Sequence, residues 1–220
     1  MSGAWKKRDV EKVAEDWLGH KKKLRKLGLL QRKERKINMK LDQVANSKND
    51  EFFTPKYGVM PILKYIPDGA KVWCPFDTKD SLYVKMLEDK GCTVINTHIF
   101  NGEDFFELVN SEICDWCEYI VSNPPYSVKT EVLEKLFETE KPFAMLIGVV
   151  GLFESQKRFE LFRDHEFEIL YLNRRISFMK DYTSGKTALN PPFSSVYITS
   201  KILPDKVMFE EINKKEILVS

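Results

Sequence analysis

Apolar and polar positions split the chain into segments of alternating period. In the first 45 residues the spacing is helical: Val10, Val13, Ala14, Trp17 and Leu18 share a face, and Gly19-His20 interrupts it. A basic register resumes through Leu24 and Leu27, and Ile37, Leu41 and Val44 form a third helical set. Ser47-Lys48-Asn49-Asp50 is a polar break. Beyond it, Val59, Met60, Ile62, Leu63 and Ile66 repeat at helical period and end at Pro67-Asp68-Gly69. Positions 71–76 read as a buried strand, 77–81 as a turn, and Val84, Leu87 and Lys90 as a helix closed by Gly91. A strand over 92–99 follows, then the acidic loop Gly102-Glu103-Asp104, then a strand over 119–122. Helices over 128–138 and 156–162 alternate with strands over 143–150 and 167–172, and Phe193 to Ile198 reads as the last strand.

Strands alternating with helices imply an α/β architecture: a mostly parallel sheet with helices on both faces. Two domains are expected, a basic helical extension over 1–48 and the α/β domain over 49–220. Sheets of this kind take ligands at the carboxyl ends of their strands. The segments after positions 74, 99 and 122 would converge there.

Composition narrows the picture. Of 220 residues, 43% are hydrophobic and 12% aromatic, enough for a packed core. No apolar run is long enough to span a bilayer and the first residues carry no signal-peptide pattern, so the expectation is a cytoplasmic protein with no membrane partner. The four cysteines fit a reducing compartment. Cys114-Asp115-Trp116-Cys117 is a lone pair without further ligands, so no metal is expected. The net charge of +2 hides an asymmetry: residues 1–48 hold 15 Lys/Arg against 6 Asp/Glu, leaving 20 against 27 elsewhere. So cationic an arm on a chain that is acidic elsewhere suits phosphates, which makes nucleic acid, DNA or RNA, the expected partner.

The stretch with the clearest chemistry is Ile120-Val121-Ser122-Asn123-Pro124-Pro125-Tyr126. Two prolines stop the strand in an extended tip. The tip offers the Asn123 oxygen and Pro124 carbonyl as acceptors for an exocyclic amino group, and Tyr126 as a surface for a base. Asn and Pro are also ordinary turn residues, and Asn190-Pro191-Pro192-Phe193 recurs later, so the tetrapeptide alone is ambiguous.

Order resolves the ambiguity. Phe53-Thr54-Pro55, a strand ending in Pro75-Phe76, Asp104-Phe105-Phe106, and Asn123-Pro124-Pro125-Tyr126 together resemble the S-adenosylmethionine-dependent adenine-N6 methyltransferases, in the small phage or prophage type. The resemblance covers roughly residues 50–200 and implies a Rossmann-like class I methyltransferase fold with a C-terminal antiparallel strand. It implies that Phe53, Thr54 and Pro55 lie beside the methionine end of S-adenosylmethionine. Cys74, Pro75, Phe76 and Asp77 would open the cofactor loop, and Asp104 and Phe105 would flank the cofactor's adenine. Asn123, Pro124, Pro125 and Tyr126 would be catalytic, with Tyr126 and Phe178 on the target base. The substrate implied is adenine in nucleic acid, DNA ahead of RNA, read through the basic arm and the loop 180–192.

The sequence departs from the pattern in the cofactor loop. Cys74 stands where an acid is expected, Thr78 and Asp80 replace two glycines, and 92–99 lacks an acid for the ribose. Asp77 or Asp80 could supply a carboxylate. Two alternatives follow: an inactive methyltransferase-fold module that binds nucleic acid or protein, and an amino-methyltransferase acting on a protein glutamine.

Overall fold

The computed structural model describes residues 53–179, 181–182, 187–189 and 193–216, with 187–189 described by backbone alone. The arm 1–48, together with Lys180, Gly185, Lys186 and Asn190-Pro191-Pro192, lies outside the described residues.

In chain order the elements are α1 (Lys56–Leu63), β1 (Lys71–Cys74), α2 (Leu82–Asp89), β2 (Thr93–Asn96), α3 (Phe105–Leu108), α4 (Glu112–Trp116) and β3 (Tyr119–Ser122). Then come α5 (Lys129–Glu138), β4 (Phe143–Gly148), α6 (Gln156–Asp164), β5 (Glu168–Leu172), β6 (Phe178–Met179), β7 (Thr187–Leu189), β8 (Ser195–Ser200) and β9 (Val207–Glu210). Side-chain caps define several helix starts: Ser81, Asp104, Ser111 and Ser155 each accept from a backbone N–H of the first turn.

Seven strands form one sheet in the order β2-β1-β3-β4-β8-β5-β9, and β6 pairs with β7 apart from it. Neighbours run parallel except at β8, which lies antiparallel between β4 and β5. The carboxyl ends of β1 to β5 and the start of β8 therefore share one edge of the sheet. β4 and β8 are buried along their whole length, which fits their continuous apolar runs.

Strand residues alternate between two cores. On one face Val72, Cys74, Val121, Leu146 and Tyr197 pack with α1 and α2. On the other, Trp73 stacks on Phe105 of α3 at 5.7 Å, and Phe143 meets Phe137 of α5 at 5.1 Å. A polar seam crosses the first core, where the Tyr83 and Tyr197 hydroxyls meet at 2.7 Å and Tyr197 donates to the Gly58 carbonyl at 2.7 Å. Glycine at position 58 also lets Thr54 and Ile176 close in on α1, since a Cβ there would lie 2.9 Å from Thr54 Cγ2 and 3.2 Å from Ile176 Cδ1.

The mixed α/β, mostly parallel architecture with helices on both faces agrees with the sequence reading. The last strand does not. Ser195–Ser200 is followed by β9, which joins β5 in parallel at the edge, its alternating exposed and half-buried residues giving too short a pattern to stand out. The strand expected over 92–99 shortens to Thr93–Asn96, because His98 starts a 3-10 turn, Ile99–Asn101, by accepting from the Phe100 N–H. Short helices α3 and α4 occupy the stretch before β3, and Cys114 and Cys117 are buried in and just after α4, Cys117 Sγ donating to the Cys114 carbonyl.

Candidate active site at the carboxyl edge of the sheet

The tip begins directly at the end of β3. Pro124 is buried, Asn123, Pro125 and Tyr126 are half-buried, and Tyr126 opens a 3-10 turn, Tyr126–Val128, that leads into α5. All peptide bonds among the described residues are trans. The Asn123 Oδ1 is buried, whereas the sequence reading has it pointing outward.

Tyr126 sits in an aromatic corner. Its hydroxyl lies 3.3 Å from Ser195 Oγ, and its ring stands 5.8 Å from Phe193 and 6.5 Å, edge-on, from Phe178. Gly148 makes room for this corner: a Cβ there would fall 2.7 Å from Phe193 and 2.9 Å from the Tyr126 ring. Phe178 is fully buried and belongs to the core on the α1 side.

Beside the tip lies a buried carboxylate. Asp77 accepts from Ser81 Oγ at 2.5 Å and from Ser122 Oγ at 2.5 Å, so it joins the loop after β1 to the residue preceding Asn123. Burial raises its pKa from 3.8 to about 6, against the opposing effect of the two serine hydroxyls. Ser81 Oγ also accepts from the Tyr182 hydroxyl at 3.3 Å and caps α2 through the Tyr83 N–H. Burial likewise raises the Tyr182 phenol, opposed by Ser81 and by backbone hydrogen bonds from Leu82 and Thr54. The Tyr182 ring meets Phe53 edge-on at 4.9 Å, and Phe53 pairs with Met179 through its carbonyl. A hydrogen-bonded series therefore runs from Tyr182 through Ser81 and Asp77 to Ser122. Thr54 Oγ1 is buried, with no hydrogen-bond partner among the described residues.

The other expected cofactor residues separate into a second group. Cys74 is fully buried, and burial first, then Asp77, pushes its thiol well up. Thr97 accepts from Trp73 Nε1 at 2.9 Å and donates to the carbonyl of buried Pro75 at 3.4 Å. Phe105 is buried between Trp73, Phe76 and Phe106, leaving Phe76 and Phe106 as the half-buried rings of that cluster. Asp104 is buried and caps α3. Asp80 is exposed, 3.8 Å from Lys85. Neither Thr78 nor Asp80 has a positive φ, so the loop adopts its path without glycine.

The contacts made by several residues of this arrangement escape the sequence reading. Ser81, Ser122, Tyr182 and Gly148 act through contacts 4 to 101 residues apart in sequence, which no local pattern announces. Glu103 is more legible: Gly102, at φ 75, turns the chain so that the Glu103 carboxylate accepts from the His98 N–H at 3.2 Å. A carboxylate thus stands at the end of β2 although the strand itself has none. His98 is held below its ordinary pKa by burial, against the pull of Glu103.

Among the described residues, no group of His, Cys, Asp and Glu could hold a metal ion, and no helix is long and apolar enough to cross a membrane. No family model and no curated protein matches the chain. A solved structure with a similar course is the modification subunit of a putative type I restriction enzyme from Vibrio vulnificus YJ016, at 11% identity and a TM-score of 0.46. The match covers 79% of this chain and 50% of that one, so the chain spans about half the length of that subunit.

Proposed function

We propose that the chain is a methyltransferase of the class I type that moves a methyl group from S-adenosylmethionine to the exocyclic N6 of adenine in nucleic acid, DNA ahead of RNA. The observation that carries this reading is the direct link between Asp77 and Ser122. It joins the loop after β1, where such a cofactor docks, to the Asn123-Pro124-Pro125-Tyr126 tip, where an amino group would be held. The antiparallel β8 between β4 and β5 supports the reading, because it reproduces the C-terminal reversal the family resemblance implies.

The residues at the edge fit S-adenosylmethionine in kind. Asp77 has two of its four acceptor positions taken by serines, which leaves lone pairs for an ammonium group. Thr54 Oγ1 is a buried hydroxyl in want of a partner. Glu103 suits ribose hydroxyls, and Phe76 with buried Phe105 behind it suits an adenine plane. The cofactor would supply a sulfonium methyl, an electrophile strong enough for a poorly nucleophilic nitrogen. The chain's own task is positional. Asn123 and Pro124 would accept the two amino hydrogens and bias the nitrogen lone pair toward the methyl, and Tyr126 would stack on the extruded base. Phe178, in this reading, backs Tyr126 rather than presenting a face of its own.

A second reading, a nucleic-acid-binding module without the cofactor, is favoured by one specific observation. Asp77 already bonds two serines, while Cys74 and Phe105 are packed away from solvent. Calorimetric titration with S-adenosylmethionine, followed by mass spectrometry of nucleosides after incubation with DNA or RNA, separates the two. Heat of binding and N6-methyladenine that disappears in Asn123→Ala are expected. Nucleic-acid binding with neither heat nor product would establish the module instead.

A further inference from the structure

Next to the tip, the turn that follows β4 exposes apolar side chains on a braced backbone. Val150 is 59% exposed and Phe153 is 50% exposed, while Leu152 between them is fully buried. The turn is pinned from three sides. Lys129 Nζ donates to the Val150 carbonyl at 2.5 Å, Arg158 Nε to the Leu152 carbonyl at 3.1 Å, and the Val149 N–H to the Ser194 carbonyl at 2.9 Å. Arg158 is itself fixed by Thr130 Oγ1 at 2.8 Å, and Gly151 takes the φ of 66° that the bend requires.

Single exposed apolar residues are ordinary. Two on one braced turn, two and five residues past Gly148, where an added Cβ would meet the Tyr126 ring, are placed for use. Two cations stand at the bend and suit a polyanion: a Cβ built on Gly151 would lie 3.7 Å from Arg158 and 3.9 Å from Lys129, with the Glu154 carboxylate also at 3.9 Å. Arg174 and Arg175 are exposed just past β5 on the same edge, three strand spacings from β3, or about 14 Å at about 4.8 Å per strand.

We propose that this turn enters the DNA duplex beside the tip, with Val150 and Phe153 filling the space in the base stack vacated by the base that Tyr126 captures. Apolar wedges stabilise an unstacked step in this way because the gap would otherwise stay open to water. The proposal rests on the reading of the tip as a base-capturing site, but not on cofactor binding or methyl transfer.

The test uses the full chain and duplexes with degenerate flanks carrying 2-aminopurine, an adenine analogue whose fluorescence rises when it leaves the stack. Wild type should raise the signal on duplex, and Val150→Ser/Phe153→Ser should weaken duplex binding and the signal by about tenfold or more, from the apolar area left exposed. Binding to the single strand should change less than twofold, since there is no stack to fill. Phe153→Leu with Val150→Ile should restore most of the duplex signal, and unchanged thermal melting of all variants excludes misfolding. A wild-type signal that the serine variant leaves intact, or equal losses on duplex and single strand, overturns the wedge alone. No rise with wild type overturns base capture at the tip, and the wedge with it.

Discussion

Asp77 gives the sharpest test, because its burial makes a quantitative statement about pH. Its folded pKa of about 6 exceeds the ordinary 3.8, so the folded state holds the proton more tightly than the unfolded chain. Ionised Asp77 therefore weakens the fold by about 3 kcal/mol at about 1.4 kcal/mol per pH unit. Linkage fixes where this appears. Below pH 3.8 the penalty is absent, about 1 kcal/mol of it is present at pH 4.5, and it is complete by about pH 7. Asp77→Asn keeps the shape and can still satisfy Ser81 and Ser122 through its oxygen and amino group, with no charge to bury. Its stability relative to wild type should accordingly rise by about 2 kcal/mol between pH 4.5 and 7.5, or about 4–8 °C in melting temperature for a domain of this size. Urea unfolding of both proteins at the two pH values measures the difference and cancels contributions from other carboxylates. A stability difference that does not change with pH would refute the reasoning, because Asp77 would then titrate alike folded and unfolded. The same substitution should weaken S-adenosylmethionine binding at pH 7.5, since an amide cannot neutralise an ammonium.

Gly148→Ala should reduce base capture at least as much as it reduces stability, because its methyl would displace the Tyr126 and Phe193 rings. The expected cost is about 1–3 kcal/mol, read from urea midpoints beside 2-aminopurine fluorescence. Thr54→Val should leave stability unchanged or raise it by about 1 kcal/mol, since it removes a buried hydroxyl that has no partner, yet it should weaken S-adenosylmethionine binding in calorimetry. A marked drop in melting temperature would mean that the hydroxyl is satisfied. Removing residues 1–48 should weaken nucleic-acid binding and reduce the slope of log affinity against log salt by about one for each phosphate the arm neutralises. Equal slopes with and without the arm would assign those cations another role.

The centre of the sheet was legible because β1, β3, β4 and β8 are largely buried and bounded by strong stops. Gly91, the prolines after Asn123 and the polar stretch before Phe143 each end an element close to where the pattern places it. The tip at 123–126 was legible for the same reason, since a β-branched strand meeting two prolines has one way to end. Contacts of high sequence separation were not. Nothing around Ser122 announces that its hydroxyl bonds a carboxylate 45 residues earlier, and nothing around Tyr182 announces Ser81, 101 residues before it. Aromatic residues divide along the same line. Phe105 and Phe178 follow the family order as readily as Tyr126 does, but both are buried, and only packing distinguishes a core ring from a half-buried one.

The loop after β1 is physically coherent as a relocation of charge relative to the pattern it resembles, rather than a loss of it. Position 74 lies at the carboxyl end of β1 with no solvent exposure, and Asp77 follows three residues later, also buried. Acids at both positions would place two carboxylates in one poorly solvated loop, where each raises the pKa of the other and one would remain protonated at neutral pH. With cysteine at 74 the thiol stays neutral, pushed up by burial and by Asp77 itself, and the single negative charge moves to the residue that touches both Ser81 and Ser122. That shift changes what the charge can do. An acid confined to the end of β1 acts on a cofactor alone, whereas Asp77 is one hydrogen bond from the residue before Asn123. Any cation that docks on Asp77, or any proton that neutralises it, alters the bond holding the start of the tip. In either reading of the protein, then, the state of the loop after β1 is transmitted to the tip through Ser122.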